Sequence, residues 1–93
     1  MKKIEYEYRG VRIEQTQEGY NIIFTPSFNG DRKIPLSEKD FLKLTEKEDI
    51  KGLSKILGGI DSTLTRELNQ RELITINSAL LGARKIYDKG LMA

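Results

Sequence analysis

The apolar residues of this chain change their spacing at Ser37, and that change limits the fold more than any other feature of the sequence. Up to Leu36 they alternate with polar residues, which is the pattern of half-buried strands. After Ser37 they recur every three or four residues, as on one face of a helix. Strands followed by helices are typical of the α+β class, and we expect the helices to pack on one face of an antiparallel sheet.

The alternating part predicts an antiparallel β-meander of three or four strands within residues 2–36. Arg9-Gly10 and Glu18-Gly19 supply turns, because glycine accepts a positive φ. Pro35 cannot donate a hydrogen bond to a neighbouring strand, so the fourth strand must lie at an edge. The predicted strands begin at Ile4, Val11, Tyr20 and Arg32.

Three to four helices are predicted after the meander. Ser37 is a good N-cap for a helix over 38–44, and Thr45 is one for a second helix over 46–57. Gly58-Gly59 is predicted to end that second helix.

A further helix is predicted to start at Asp61 or Ser62, with a kink or short turn near Asn69-Gln70, where the apolar spacing lengthens. Gly90 should stop the last helix. The chain has 93 residues and no linker or low-complexity segment, so we expect one domain, with 37–90 as its helical part.

The most regular helical pattern runs from Arg71 to Asp88. Its apolar residues form one line along a helix face: Leu73, Ile76, Leu80, Ala83 and Tyr87. This line suits either a helix packed within one chain or a helix pair across a two-fold axis. Ile74 and Leu81 form a flanking stripe that one partner surface would not cover. A homodimer or partner interface along the line is therefore predicted, with a core position as the alternative.

The chain contains neither Cys nor His. This composition excludes disulfides, thiol nucleophiles, thiolate zinc sites and imidazole catalysis. The acidic residues Glu46, Glu48 and Asp49 suit the first turn of a helix rather than a catalytic site. The longest apolar run, from Ala79 to Ala83, is far too short to cross a bilayer. We predict a cytoplasmic protein that is not an enzyme and uses no cofactor and no metal.

Charge and aromatic residues suggest where a partner binds. The chain has 16 basic and 14 acidic residues, a balance that does not indicate the basic face of a nucleic-acid-binding domain. Phe28 lies in a polar turn followed by Arg32 and Lys33, which suits a partner's pocket, although Phe28 could instead fold back on the sheet. Arg9 and Arg12 are the additional cations available to a nucleic acid.

Four aromatic residues share the alternating face of the predicted sheet. A sheet that displays aromatic rings can stack nucleic-acid bases. The same face also carries Ile and Val side chains, which favours a buried face covered by helices. The four residues are Tyr6, Tyr8, Tyr20 and Phe24.

The sequence matches no named family motif. A Lys-rich, Cys-free meander followed by helices looks like the small proteins of bacterial phages and mobile elements. That resemblance implies a binding role, such as transcriptional control or inhibition of a host or defence protein. We therefore predict a non-enzymatic protein-binding module, adaptor or inhibitor whose partner is another protein. A small DNA- or RNA-binding regulatory protein is the alternative.

Overall fold

The computed structural model describes the backbone of residues 3–25 and 30–92 and the side chains of residues 3–25 and 30–90. Within them, four strands form one antiparallel sheet of order β1-β2-β3-β4, followed by four helices, so the predicted α+β meander is confirmed. No helix in this part of the chain is long and apolar enough to cross a membrane. The elements are β1 (Glu5–Tyr8), β2 (Val11–Gln15), β3 (Gly19–Phe24), β4 (Arg32–Ser37), α1 (Glu38–Leu44), α2 (Ile50–Ile60), α3 (Leu64–Glu67) and α4 (Gln70–Met92).

The first turn has the geometry that its sequence predicts. Tyr8 pairs with Val11, so Arg9 and Gly10 form a two-residue hairpin loop. Their φ angles are 49° and 84°, the left-handed values of a type I′ turn. Glycine adopts this conformation freely, whereas Arg9 is a larger residue held in a region that costs about 1–2 kcal/mol.

The inner face of the sheet is the core face. Ile22 pairs with Ile13 on one side and with Ile34 on the other, and all three are buried. Tyr20 stacks on Phe41 of α1, with ring centroids 3.9 Å apart. The prediction that the aromatic face is covered by helices is confirmed, and Tyr6 and Tyr8 are half-buried at its margin.

Helix α1 begins at its predicted cap. The Ser37 Oγ accepts a hydrogen bond from the Asp40 N–H at 3.1 Å. Thr45 does not cap the next helix as predicted. Its hydroxyl donates to the Phe41 carbonyl at 2.6 Å, so Thr45 closes α1 instead.

Helix α2 starts and ends later than predicted. The Asp49 carboxylate accepts from the Gly52 N–H at 2.9 Å and makes Asp49 the N-cap. At the other end, Gly58-Gly59 lies inside the helix, which continues until the Asp61 N–H bonds to the Leu57 carbonyl. A glycine permits a helix end but does not impose one.

The predicted break between the last two helices is confirmed. Helix α3 has Thr63 at its N-cap position, where Asp61 or Ser62 was expected, and Leu68 leaves it with extended backbone angles. Asn69 caps α4. The Asn69 side chain accepts from the Glu72 N–H at 2.8 Å, while the Glu72 carboxylate accepts from the Asn69 N–H at 3.1 Å. This reciprocal pair is a capping box. Gly90 does not stop α4, which continues to Met92.

Helix α4 packs its apolar line against the sheet of its own chain. Tyr87 is half-buried and meets Phe41 edge-on, with centroids 6.1 Å apart. The predicted interface along this line is therefore corrected, because the chain's own core covers those side chains and leaves them unavailable to a partner. The four other residues of the line, all buried, are Leu73, Ile76, Leu80 and Ala83.

Candidate functional site

Arg32, predicted to contact a partner, is held within the fold. Its guanidinium donates to Asp61 Oδ2 at 2.6 Å and to Glu67 Oε2 at 2.8 Å, which ties β4 to the end of α2 and to α3. Hydrogen bonds from the hydroxyl and amide of Thr63, together with Arg32, hold the pKa of Asp61 below its usual value. Arg32 therefore has a structural role, and its predicted role in binding stays a prediction.

Lys33, a second residue of the predicted loop site, does not join the cluster around Arg32. Lys33 follows it directly in β4, so the two side chains leave opposite faces of the sheet. Lys33 is exposed on the outer face. Phe28 lies outside the described residues, so its proposed role stays a prediction.

Arg9 and Arg12 also lie on different parts of the surface. Arg12 is on the outer face, where its Nη1 is 3.6 Å from Glu5 Oε1 in an exposed ion pair. Arg9 lies at the hairpin turn, with its guanidinium 5.5 Å from the centroid of the Tyr8 ring. Their predicted role as nucleic-acid contacts stays a prediction.

A groove runs between the β1–β2 turn and the first half of α4. It consists of two adjoining depressions of about 540 and 290 Å³, which share Arg9, Arg71 and Thr75. We call it the basic groove and define it by the lining of the larger depression: Tyr8, Arg9, Arg71, Ile74, Thr75 and Ser78.

The basic groove combines unpaired positive charge with an exposed apolar side chain. Among the described residues, neither Arg9 nor Arg71 has a carboxylate within 4.0 Å. Glu72 lines the smaller depression, and one oxygen of its carboxylate accepts from the Asn69 N–H in the capping box. Ile74 is 45% exposed, more than any other large apolar residue with a described side chain. Such a surface can bind a carboxylate and an apolar side chain side by side.

A second polar cluster joins α4 to α1 and has a structural role. Arg84 donates to the Leu42 carbonyl at 3.2 Å and to Thr45 Oγ1 at 2.9 Å. Tyr87 donates to Glu38 Oε1 at 3.3 Å. These bonds satisfy polar groups at the margin of the core and join both ends of α1 to α4, so the cluster needs no ligand to explain it.

The sequence identified only part of the basic groove. The sequence predicts Arg9 as a possible nucleic-acid contact and places Ile74 on the stripe that flanks the apolar line of α4. Arg71 carried no such signal, because it meets Arg9 only when the fold brings the hairpin turn to the start of α4.

Comparison with known proteins gives no further guide to the site. No protein-family model, curated protein or solved structure matches this chain. Within the described part of the chain, acidic residues do not cluster in threes in a way that could hold a metal ion. The chemistry of the basic groove therefore remains as the guide to function.

Proposed function

We propose that this chain is a non-enzymatic protein-binding module of the adaptor or inhibitor type, and that the basic groove receives a segment of the partner protein. The observation that supports this proposal is the exposed Ile74 beside Arg9 and Arg71. Among the described residues, neither arginine has a carboxylate within 4.0 Å. Arginine, tyrosine and apolar side chains in a concave site are the groups that supply most binding energy in protein interfaces.

The proposal includes the chemistry of the partner segment. A carboxylate would pair with the two arginines, and an apolar side chain would cover Ile74 and the Tyr8 ring. A cytoplasmic location and an inhibitory action on a host or defence protein are the finer parts of the proposal, supported by the Cys-free composition and by the resemblance to small phage proteins.

Nucleic-acid binding is the second candidate, favoured by one separate observation. Lys51 and Lys55 of α2 line another depression of about 570 Å³, which reaches Gln70 at the start of α4. The start of α4 thus has these two lysines on one side and the two arginines of the basic groove on the other. Together these cations could contact a phosphate backbone. The net charge of +2 and the exposed Ile74 favour a protein partner, because phosphate contacts make no use of an apolar side chain.

The test is site-specific photo-crosslinking in a bacterial lysate. A photoreactive residue replaces Ile74, and a control chain carries it in place of Lys39, which is exposed on α1 away from the groove. We expect adducts from position 74 that survive nuclease and disappear with protease, and far fewer adducts from position 39. Arg71→Glu in the position-74 chain should reduce the adducts.

Two results would contradict a protein partner. Adducts from position 74 that nuclease removes, together with a salt-dependent affinity for random duplex DNA, would establish the second candidate instead. Equal adducts from positions 74 and 39 would show that the groove has no selective partner.

A further inference from the structure

Strand β1 leaves one edge of the sheet open. The Gln15 N–H donates to the Ile4 carbonyl at 2.8 Å, so the backbone of Ile4 faces β2. Backbone groups alternate in direction along a strand, and Tyr6 and Tyr8 therefore also face β2. The N–H and C=O groups of Glu5 and Glu7 point away from the sheet. Within the described residues they have no backbone hydrogen-bond partner.

A strip of α4 lies beside this open edge. The ring of Tyr6 packs so closely on Gly82 that a Cβ at that position would collide with it. Ser78, one turn earlier, lines the basic groove with Tyr8. Ile74 and Ile86 continue the same row at four-residue spacing, and they are 45% and 38% exposed. The row thus has two small residues between two exposed isoleucines, next to a strand that lacks a neighbour.

The outer face of the same edge has an excess of negative charge. Glu5 lies directly opposite Glu14 on β2, an arrangement that destabilises a strand pair. Glu7 is also exposed on this face, and Arg12 is the one cation that the structure pairs with these glutamates, among the residues it describes. A lysine or arginine placed beside Glu5 and Glu7 would relieve this repulsion.

We propose that the partner of the protein-binding module adds a β-strand to the open edge of β1. The added segment is extended and belongs to a different protein. Its apolar side chains face the row of α4, and its lysine or arginine side chains lie beside Glu5 and Glu7 on the outer face. The carboxylate that pairs with Arg9 and Arg71 lies where the segment passes Tyr8. This inference rests on the proposed function and specifies how the partner binds.

A second copy of the chain is a poor match for this edge. If two β1 strands paired with their tyrosines on the inner side, the outer side chains that face one another within Glu5–Tyr8 would all be glutamates. Charge therefore selects a partner with basic residues at alternate positions.

The test uses a blocked peptide of sequence Lys-Val-Lys-Val-Lys-Val and its counterpart Glu-Val-Glu-Val-Glu-Val, each titrated into the ¹⁵N-labelled full chain. We expect the lysine peptide to slow hydrogen exchange at the amides of Glu5 and Glu7 and to shift resonances of β1 and α4. The glutamate peptide should bind about tenfold more weakly. No binding of the lysine peptide at about 1 mM, or equal binding of both peptides, would overturn the proposal.

Two variants separate strand addition from contact through side chains alone. Glu7→Pro removes the outward N–H, while Glu7→Ala removes the same carboxylate and keeps the N–H. We expect Glu7→Pro to bind the lysine peptide about tenfold more weakly than Glu7→Ala, the effect of about one hydrogen bond. Equal affinity in two folded variants contradicts strand addition. If Glu7→Pro does not fold, the exchange rates of Glu5 and Glu7 in the wild-type chain decide.

The crosslinking experiment tests the protein-binding function separately from the added strand. Crosslinks from position 74 that depend on Arg71 and persist in Glu7→Pro would retain the protein-binding function and reject the added strand. Loss of those crosslinks in Glu7→Pro, with most of them retained in Glu7→Ala, would support both.

Discussion

The buried hydroxyl of Tyr20 reduces the stability that its aromatic ring provides. The residue is 2% exposed and its ring stacks on Phe41, yet its Oη has no hydrogen-bond partner within the described residues. Burial, with further contributions from Glu38 and Tyr87, raises the pKa of Tyr20 to about 12. The ring therefore stabilises the core, and the hydroxyl costs free energy because it has left water without a replacement partner.

We predict that Tyr20→Phe leaves the free energy of unfolding unchanged or raises it by about 1 kcal/mol near neutral pH. In alkali the difference should grow. The unfolded tyrosine loses its proton near its ordinary pKa of 10.0, whereas the folded one keeps it up to about 12, so wild-type stability falls across this range. Urea midpoints of both chains at neutral pH and near pH 11 measure the effect. A lower midpoint for the variant at neutral pH would show that the hydroxyl has a stabilising partner.

The first two helices show how far local sequence specifies an element. Ser37 caps α1 as its sequence predicts, because its hydroxyl meets the Asp40 amide. Thr45 has equally good capping chemistry, but its hydroxyl bonds to the preceding helix and Asp49 starts α2. Two candidate caps four residues apart can each begin a helix, and only the packed structure selects between them.

Ser37→Ala tests the start of α1. We expect a loss of about 0.5–2 kcal/mol in the free energy of unfolding, because the Asp40 amide loses its acceptor. Ser54→Ala is the matched control. Ser54 lies inside α2, where alanine is the better helix former, so this variant should be as stable as the wild type or slightly more so. Equal denaturation midpoints for the two variants would contradict the role of Ser37 as a cap.

The strand order and the core face could be predicted because they depend on local alternation and on short turns such as Arg9-Gly10. The functional roles could not. Arg32 looked like a free cation until the fold placed Asp61 and Glu67 beside it. Arg71 becomes a candidate binding residue only because the fold places Arg9 near it. Both cases depend on contacts between distant parts of the chain, which hydrophobic spacing does not encode.

At the scale of the whole molecule, α4 divides the chain's apolar residues between core and surface. Leu80, at 0% exposed, belongs to the core, and Ile74 on the same helix faces outward. We predict that Leu80→Glu abolishes cooperative thermal unfolding, because a buried carboxylate without a partner costs several kcal/mol. Ile74→Glu should melt within a few degrees of the wild type. A folded Leu80→Glu chain in sedimentation and thermal denaturation would contradict this assignment of the core.

The two edges of the sheet differ, since β4 carries Pro35 whereas β1 leaves backbone groups unpaired. Proline supplies no donor for a further strand, so a strand added at β4 would lack a hydrogen bond at Pro35 and β1 is the more favourable edge for extension. In polymer terms the molecule is monofunctional, because one added strand occupies its open edge and ends the assembly. A strand bound to β1 would complete the sheet without creating a route from chain to chain through β4. Complexes of this kind have a fixed stoichiometry, and the fold can offer an open strand without growing into a fibre.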